Sequence, residues 1–252
     1  MLLTIDVGNS STAAAVFRGA SIVFRRSLPT PRAWSWRFFS ALLPVARARL
    51  VTAAIVSSVV PRLDRPLAAG IRRACALRPV FLDARTPSGI TLKIDRPAEL
   101  GADRIADCAG ALALFSPPLI VIDSGTAITF DLVNARREYI GGCILPGVGI
   151  AFQSLAEKTA KLKAVTFALP RSPRGTTTAA SIRAGIFYGY VGALQHLISL
   201  YRAELGGNTT VVATGGLARF FQGRAAGIDA YEPDLIFQGL RRIHEGLKER
   251  QA

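Results

Sequence analysis

Leu2–Asp6 is a short apolar run that ends in a carboxylate, followed by the turn residues Gly8-Asn9-Ser10, and it predicts a buried strand. Two more strand-like runs, Ala13–Phe17 and Ser21–Arg25, flank Arg18-Gly19-Ala20 and read as a hairpin with its turn. Trp34–Leu43 reads as a helix, Ala53–Val59 as a β-branched strand stopped by Pro61, and Leu63–Ala76 as an amphipathic helix. A strand at Pro79–Leu82 and an extended piece at Ile90–Ile94 lead to a helix from Gly101 to Phe115, which Pro117-Pro118 closes.

The second half opens as the first does. Leu119–Asp123 is again an apolar strand ending in Asp, Ser-Gly-Thr follows, and strands at Ile128–Val133 and Tyr139–Ile144 flank a turn at Asn134-Ala135. Helices at Ile150–Lys158 and Ser181–Leu205, a strand at Thr210–Val212 running into Thr214-Gly215-Gly216, and a last helix at Leu235–Arg250 complete the chain. Self-similarity at half the chain length predicts a duplicated domain, split as 1–116 and 117–252. Strands followed by helices in both halves predict an α/β protein with two mixed sheets facing a cleft.

Composition changes this picture little. With 252 residues, half of them hydrophobic and 19% charged, a substantial core can form, which excludes a disordered chain. Apolar stretches such as Ile55–Val60 fall far short of the roughly 20 residues of a membrane span, and the opening shows no signal-peptide pattern. Cys75, Cys108 and Cys143 share no C-x-x-C spacing, against a zinc site or a disulfide framework, and a reducing cytoplasmic setting is expected. The net charge of +14 invites a nucleic-acid reading. The arginines are nevertheless spread along the chain and no aromatic RNA-recognition signature accompanies them, so a solvated basic surface that attracts anionic metabolites is expected, with no nucleic-acid partner.

The candidate chemistry sits at the strand ends. Asp6 at a sheet edge can hold a hydrated Mg²⁺, Gly8 permits a tight turn, and the amides and hydroxyls of Val7, Gly8, Asn9, Ser10, Ser11 and Thr12 can donate to phosphate. An ordinary strand-to-hairpin turn is the bland alternative for one such segment. Asp123-Ser124-Gly125-Thr126 repeats the device, and two copies at matching positions predict a clamp on a nucleotide triphosphate, with Gly125 and Thr126 as the second set of donors. Gly215 and Gly216 follow a strand and leave room for a flat base or ribose on the backbone.

Together these three elements resemble the superfamily of acetate and sugar kinases, heat-shock chaperones and actin. Within it, Pro97-Ala98-Glu99-Leu100-Gly101-Ala102-Asp103-Arg104 is similar to the P-x-x-[LV]-G-A-D-R motif of type III pantothenate kinases, and Gly141–Gly147 to their G-G-x-I-x-P-G. Thr159-Ala160-Lys161-Leu162 matches T-A-x-L, Thr178–Gly192 matches T-x-x-S-I-x-x-G-x-x-Y-G, and Leu235–Ile243 resembles the L-x-x-x-G-L-x-x-I ending. The resemblance implies two ribonuclease H-like (actin-like ATPase) domains flanking a nucleotide cleft, and ATP-dependent phosphorylation of pantothenate on the way to coenzyme A. It implies Asp103 as general base, Asp6 beside Mg²⁺ and triphosphate, and Asp123 as ligand to a monovalent cation, K⁺ or NH₄⁺. Gly101, Ala102, Arg104 and Thr178 are implied at pantothenate, Thr178 across a homodimer interface. Two positions depart from the pattern: Ile94 stands where the family usually has Tyr, removing an aromatic contact to substrate, and Lys163 where it usually has Pro.

Asp103 acting as a helix cap with Arg104 in solvent is the alternative to catalysis at that motif. A kinase for another hydroxyl substrate, or a regulatory or nucleic-acid-binding protein on the same fold, are the rival functions. His196 and His244 lie on expected helices with no partner ligand in sequence and are assigned a surface or packing role, and Trp34 and Trp36 core or surface packing.

Overall fold

A computed structural model describes residues 1–158, 165–216, 218–221, 223–225 and 227–250. The T-A-x-L stretch at Thr159–Leu162, together with Lys163 and Leu217, lies outside the described residues. Two compact units emerge, Met1–Leu114 with Asp234–Ala252, and Phe115–Pro233.

The first unit is built on β1 (Leu2–Val7), β2 (Ser11–Arg18), β3 (Ser21–Pro29), β4 (Ala53–Ser58) and β5 (Val80–Phe81), in the order β3-β2-β1-β4-β5. β1 pairs antiparallel with β2 and parallel with β4, so a hairpin edge continues into a parallel one. Side chains alternate across a strand. Leu3, Ile5 and Val7 therefore face one layer, packed with α1 (Trp36–Leu42), α2 (Val45–Ala48) and α3 (Asp64–Cys75) through Phe39, Leu42, Ala48, Leu67 and Ile71. On the opposite face Ala15 and Phe17 meet Phe237. A two-residue strand β6 (Thr91–Leu92) and a 3₁₀ turn at Pro97–Glu99 precede α4 (Ala102–Leu114).

In the second unit β7 (Leu119–Ser124), β8 (Ala127–Val133), β9 (Glu138–Pro146), β10 (Thr210–Thr214) and β11 (Ala230–Tyr231) run in the order β11-β10-β7-β8-β9. The pairing senses match those of the first sheet strand for strand: antiparallel on the hairpin side, parallel on the other. α5 (Val148–Lys158), α6 (Thr178–Leu205) and α7 (Ala218–Phe221) supply Phe152, Phe187, Leu194, Ile198 and Phe221 to a core over Ile120, Ile122, Ile128 and Phe130. Thr177 caps α6 by accepting a hydrogen bond from Ala180 N at 3.2 Å.

The split expected at 116–117 assigned everything beyond it to the second half. Contacts instead return α8 (Leu235–Glu249) to the first unit. Two glycines are the reason. A Cβ on Gly239 would run into Ala106 O and stand 2.9 Å from Gly110 N, and one on Gly110 would run into Leu235 O, so α4 and α8 cross backbone on backbone. Asp234, just before α8, pairs with Arg25 of β3 at 2.5 Å and ties that helix to the first sheet.

Candidate active site

Asp6 is the penultimate residue of β1, in register with Ser57 on β4, and its carboxylate accepts a hydrogen bond from Ser57 Oγ at 3.1 Å. Beyond it the chain reverses tightly, with Gly8 N donating to Ser11 O at 2.9 Å. Thr30, just past the end of β3, pins this turn: its hydroxyl donates to Gly8 O at 2.6 Å and its amide to Ser10 O at 3.0 Å. Neither Ser57 nor Thr30 was singled out in the sequence, because each lies far along the chain from the motif it supports. Asn9, Ser10 and Ser11 are exposed, whereas Val7 and Thr12 are buried. The Thr12 hydroxyl sits 3.0 Å from that of Thr30, so it supports the turn from within.

The G-A-D-R segment arrives at the same edge of the first sheet. Val59, which follows β4, donates its amide to Val7 O at 3.1 Å, and a Cβ on Gly101 would stand 3.5 Å from Val59 Cγ1. Ala102 is buried as the first residue of α4, and Asp103 and Arg104 follow in its first turn, half-buried. Asp103 Oδ1 accepts from Arg104 N at 2.8 Å. Burial raises the Asp103 pKa above the ordinary aspartate value, and the hydrogen bond from Arg104 N and the Arg104 charge offset part of that rise. The outcome is a carboxylate with more affinity for a proton than a solvated aspartate has. Ile94 is half-buried in the segment leading to the 3₁₀ turn.

The second unit repeats the first motif at its own sheet edge. Asp123 is penultimate in β7, in register with Thr214 at the end of β10. Gly125 N donates to Ala127 O at 2.9 Å, closing the turn, and Gly125 and Thr126 are exposed. Gly215 adopts φ +88°, and a Cβ there would collide with Asp123 Oδ1 and stand 2.7 Å from Ser124 N, so only glycine permits this approach. Gly147, at the end of the G-G-x-I-x-P-G segment, donates its amide to Thr126 O at 3.0 Å, while Tyr190 of α6 donates its hydroxyl to Pro146 O at 2.6 Å. This clasp explains why that segment accompanies the second hairpin. Gly216 is exposed beyond Gly215, and Thr178 is exposed as the first residue of α6.

Each unit thus gathers its own part of the expected set at the carboxyl edge of its sheet: Asp6, Gly8–Ser11, Gly101, Asp103 and Arg104 in one, Asp123, Gly125, Thr126 and Gly215 in the other. Ligand sites of open α/β sheets favour that edge, beyond the carboxyl ends of the strands. His196 and His244 belong to neither group.

Known proteins bear on these residues. The family model described as type III pantothenate kinase matches residues 2–200. A type III pantothenate kinase of Anaeromyxobacter dehalogenans (strain 2CP-C) is 38% identical over 97% of this chain and 99% of its own length. One from Caulobacter vibrioides is 37% identical, covering 97% of each. Among solved structures, a conserved protein assigned to the Baf family of transcriptional activators from Campylobacter jejuni aligns with a TM-score of 0.62 at 21% identity, over 98% of this chain and 99% of that one. That likeness shows a shared fold. With a family match through both hairpins and the G-A-D-R helix, and relatives aligned end to end, the chain belongs to the type III pantothenate kinase family.

Proposed function

We propose that the chain transfers the terminal phosphoryl group of ATP to the primary hydroxyl of pantothenate, giving 4'-phosphopantothenate, the first step towards coenzyme A. The observation that carries this reading is Asp103: a half-buried carboxylate of raised pKa, fixed by a backbone amide in the first turn of α4, within the family's G-A-D-R motif. Phosphoryl transfer asks a protein for alignment, charge neutralisation and an acceptor for the hydroxyl proton. Asp103 takes the proton. Arg104 grips the pantothenate carboxylate; Gly101 lets the Asp103 carboxylate approach the backbone, and buried Ala102 seats the start of α4 beneath the substrate. Backbone amides of Asn9, Ser10 and Ser11, and that of Thr126, hold the phosphates, while the Gly8 and Gly125 amides close the two turns, and Gly215 and Gly216 seat the adenosine.

Among the described residues there is no group of three or more His, Cys, Asp or Glu side chains arranged for a metal ion. A single carboxylate at a strand end suits magnesium, which takes most of its ligands from water and phosphate. Asp6, restrained by Ser57, would hold the hydration shell of Mg²⁺, which when bound would supply charge neutralisation on the triphosphate. The Asp123 carboxylate would supply oxygen that K⁺ coordinates or to which NH₄⁺ donates.

The same reading includes a homodimer and a cytoplasmic location. Gly185, Ile186, Gly189, Tyr190 and Ala193 of α6, with Leu145, line an apolar hollow of about 210 Å³, a surface suited to a second copy, and Thr178 begins the same helix. Among the described residues no helix is long and apolar enough to cross a membrane.

The test is ADP release by the purified chain with ATP, with and without pantothenate and potassium. Pantothenate-dependent, potassium-stimulated release is expected. Release with a different alcohol but none with pantothenate overturns the substrate assignment and points to Ile94.

A further inference from the structure

The first 76 residues contain eleven arginines and two carboxylates, Asp6 and Asp64, and the first lysine of the chain is Lys93. Scattered in sequence, these arginines are gathered by the fold. α1, α2 and α3 all pack on one face of the first sheet, and their outer surface carries the side chains. Both acids are tied inward: Asp6 accepts from Ser57, and Asp64 from Ser58 Oγ at 2.6 Å. Arg25, which points to the opposite face of the sheet, is the arginine of this stretch that pairs with a carboxylate among the described residues, Asp234.

Several of the others are held in place while remaining exposed. Arg26 and Arg47 bracket the Phe24 ring at 5.8 and 5.0 Å from its centroid. They also donate to Ala41 O at 2.6 Å and Val23 O at 3.3 Å. Arg73 lies 4.4 Å over the Trp36 ring, and Arg62 donates to Arg32 O at 2.7 Å. Such stacking fixes a guanidinium and leaves its other N–H groups outward, lowering the entropy cost of binding an anion. Arg37, Arg49, Arg65 and Arg72 are exposed on the same helical layer. A face this broad, rich in guanidinium and poor in carboxylate, exceeds what a single small anion requires.

We propose that the α1–α2–α3 face is a docking surface for the phosphodiester backbone of nucleic acid, read through charge and not through sequence. Guanidinium forks match phosphate oxygens bidentately, and spacing along a surface matches a polymer of phosphates. Trp36 and Phe24 have a ring face covered by arginine, so base stacking is not the principal contact.

The experiment uses the full chain and a fluorescein-labelled 30-base-pair DNA duplex of arbitrary sequence, with anisotropy read from about 50 to about 200 mM salt. Arg37→Glu/Arg49→Glu/Arg72→Glu is compared with Arg171→Glu/Arg224→Glu/Arg250→Glu, an equal charge change made elsewhere. All six side chains are exposed and make no hydrogen bond or ion pair among the described residues. Wild type is expected to bind with affinity falling steeply with salt. The first triple variant should lose at least roughly tenfold in affinity and flatten the log–log salt slope by about 2.7, near 0.9 for each phosphate contact removed. The control should stay within about threefold of wild type. Equal losses in both variants reduce the effect to net charge and overturn the proposal. So does absence of wild-type binding at about 150 mM salt, including the case where vesicles containing one quarter phosphatidylserine are bound instead. Should the Glu variant fail to fold, Arg37→Gln/Arg49→Gln/Arg72→Gln reads the same slope.

Discussion

Replacing Gly239 with Ala adds one methyl group where α4 and α8 touch. The new Cβ would stand 2.7 Å from Ala106 C and 2.9 Å from Gly110 N, closer still to Ala106 O, against an ordinary carbon contact of about 3.5–4 Å. Backbone cannot rotate aside as a side chain can, so the helices must part by about an ångström. That loosens Leu235, Phe237, Leu240 and Ile243, all buried on α8. Overpacking of this kind costs about 1–3 kcal/mol, and with backbone as the obstacle the upper end applies. For a chain of this size, about 3 kcal/mol lowers Tm by roughly 6–12 °C. Gly246 on the same helix provides the control: a Cβ there meets nothing within 4 Å. Gly246→Ala should therefore stabilise, by about 0.5–1 kcal/mol from helix propensity alone. Thermal melts followed by circular dichroism measure both. Combining Gly239→Ala with Gly110→Ala should cost less than the sum of the two, because one separation relieves both clashes. Equal Tm shifts for Gly239→Ala and Gly246→Ala would refute the close crossing and the account of why α8 belongs with the first unit.

Three further outcomes follow from the site and its surroundings. Asp103→Asn should lose at least about a hundredfold in turnover, the scale of general base catalysis. Since a raised folded-state pKa means that ionised Asp103 weakens folding above its unfolded pKa, the same variant should melt no lower than wild type at pH 7. A fall in Tm with turnover retained would remove the base assignment. Thr30→Val deletes the 2.6 Å bond to Gly8 O, worth about 1 kcal/mol, and should raise the KM for ATP about fivefold with little change in kcat. An unchanged KM would detach Thr30 from the phosphate turn. His244 has both ring nitrogens buried without a hydrogen-bond partner among the described residues, and its pKa is lowered, first by burial and then by Lys248, with Glu245 opposing. The unfolded chain binds its proton first, so stability is full above about pH 6.5 and falls as pH drops from there towards the lowered folded value. His244→Leu should flatten Tm between pH 7 and pH 5.5, and an unaltered profile would exclude His244 as its source.

Local chemistry wrote the elements of this protein plainly. Apolar runs ending in Asp gave β1 and β7, the repeated D-x-G turn gave both hairpins, and 3.6-residue periodicity gave α3, α4, α6 and α8 to within a few residues. Matching topology in the two sheets follows from that duplication. The candidate residues were recognisable for the same reason: Asp6, Asp103 and Asp123 sit in compact motifs that are read within a few residues of chain. Short pieces such as α2, α7 and β11 escaped notice, being too brief for a period to be read and held by packing rather than propensity.

What tertiary structure alone decided lies in pairs of residues far apart in the chain. Gly110 and Gly239 look like ordinary helix glycines until α4 and α8 cross, and their missing side chains then determine which unit the last helix joins. Ser57 and Thr30 carry no motif, yet parallel and antiparallel pairing set them beside Asp6 and Gly8. Arginines that read as a diffuse charge become one face because three helices share one side of a sheet. Hydrophobic spacing specifies which way each segment points, within a turn or two of itself. Which distant segment it then meets depends on how all the faces bury together, and no local pattern contains that.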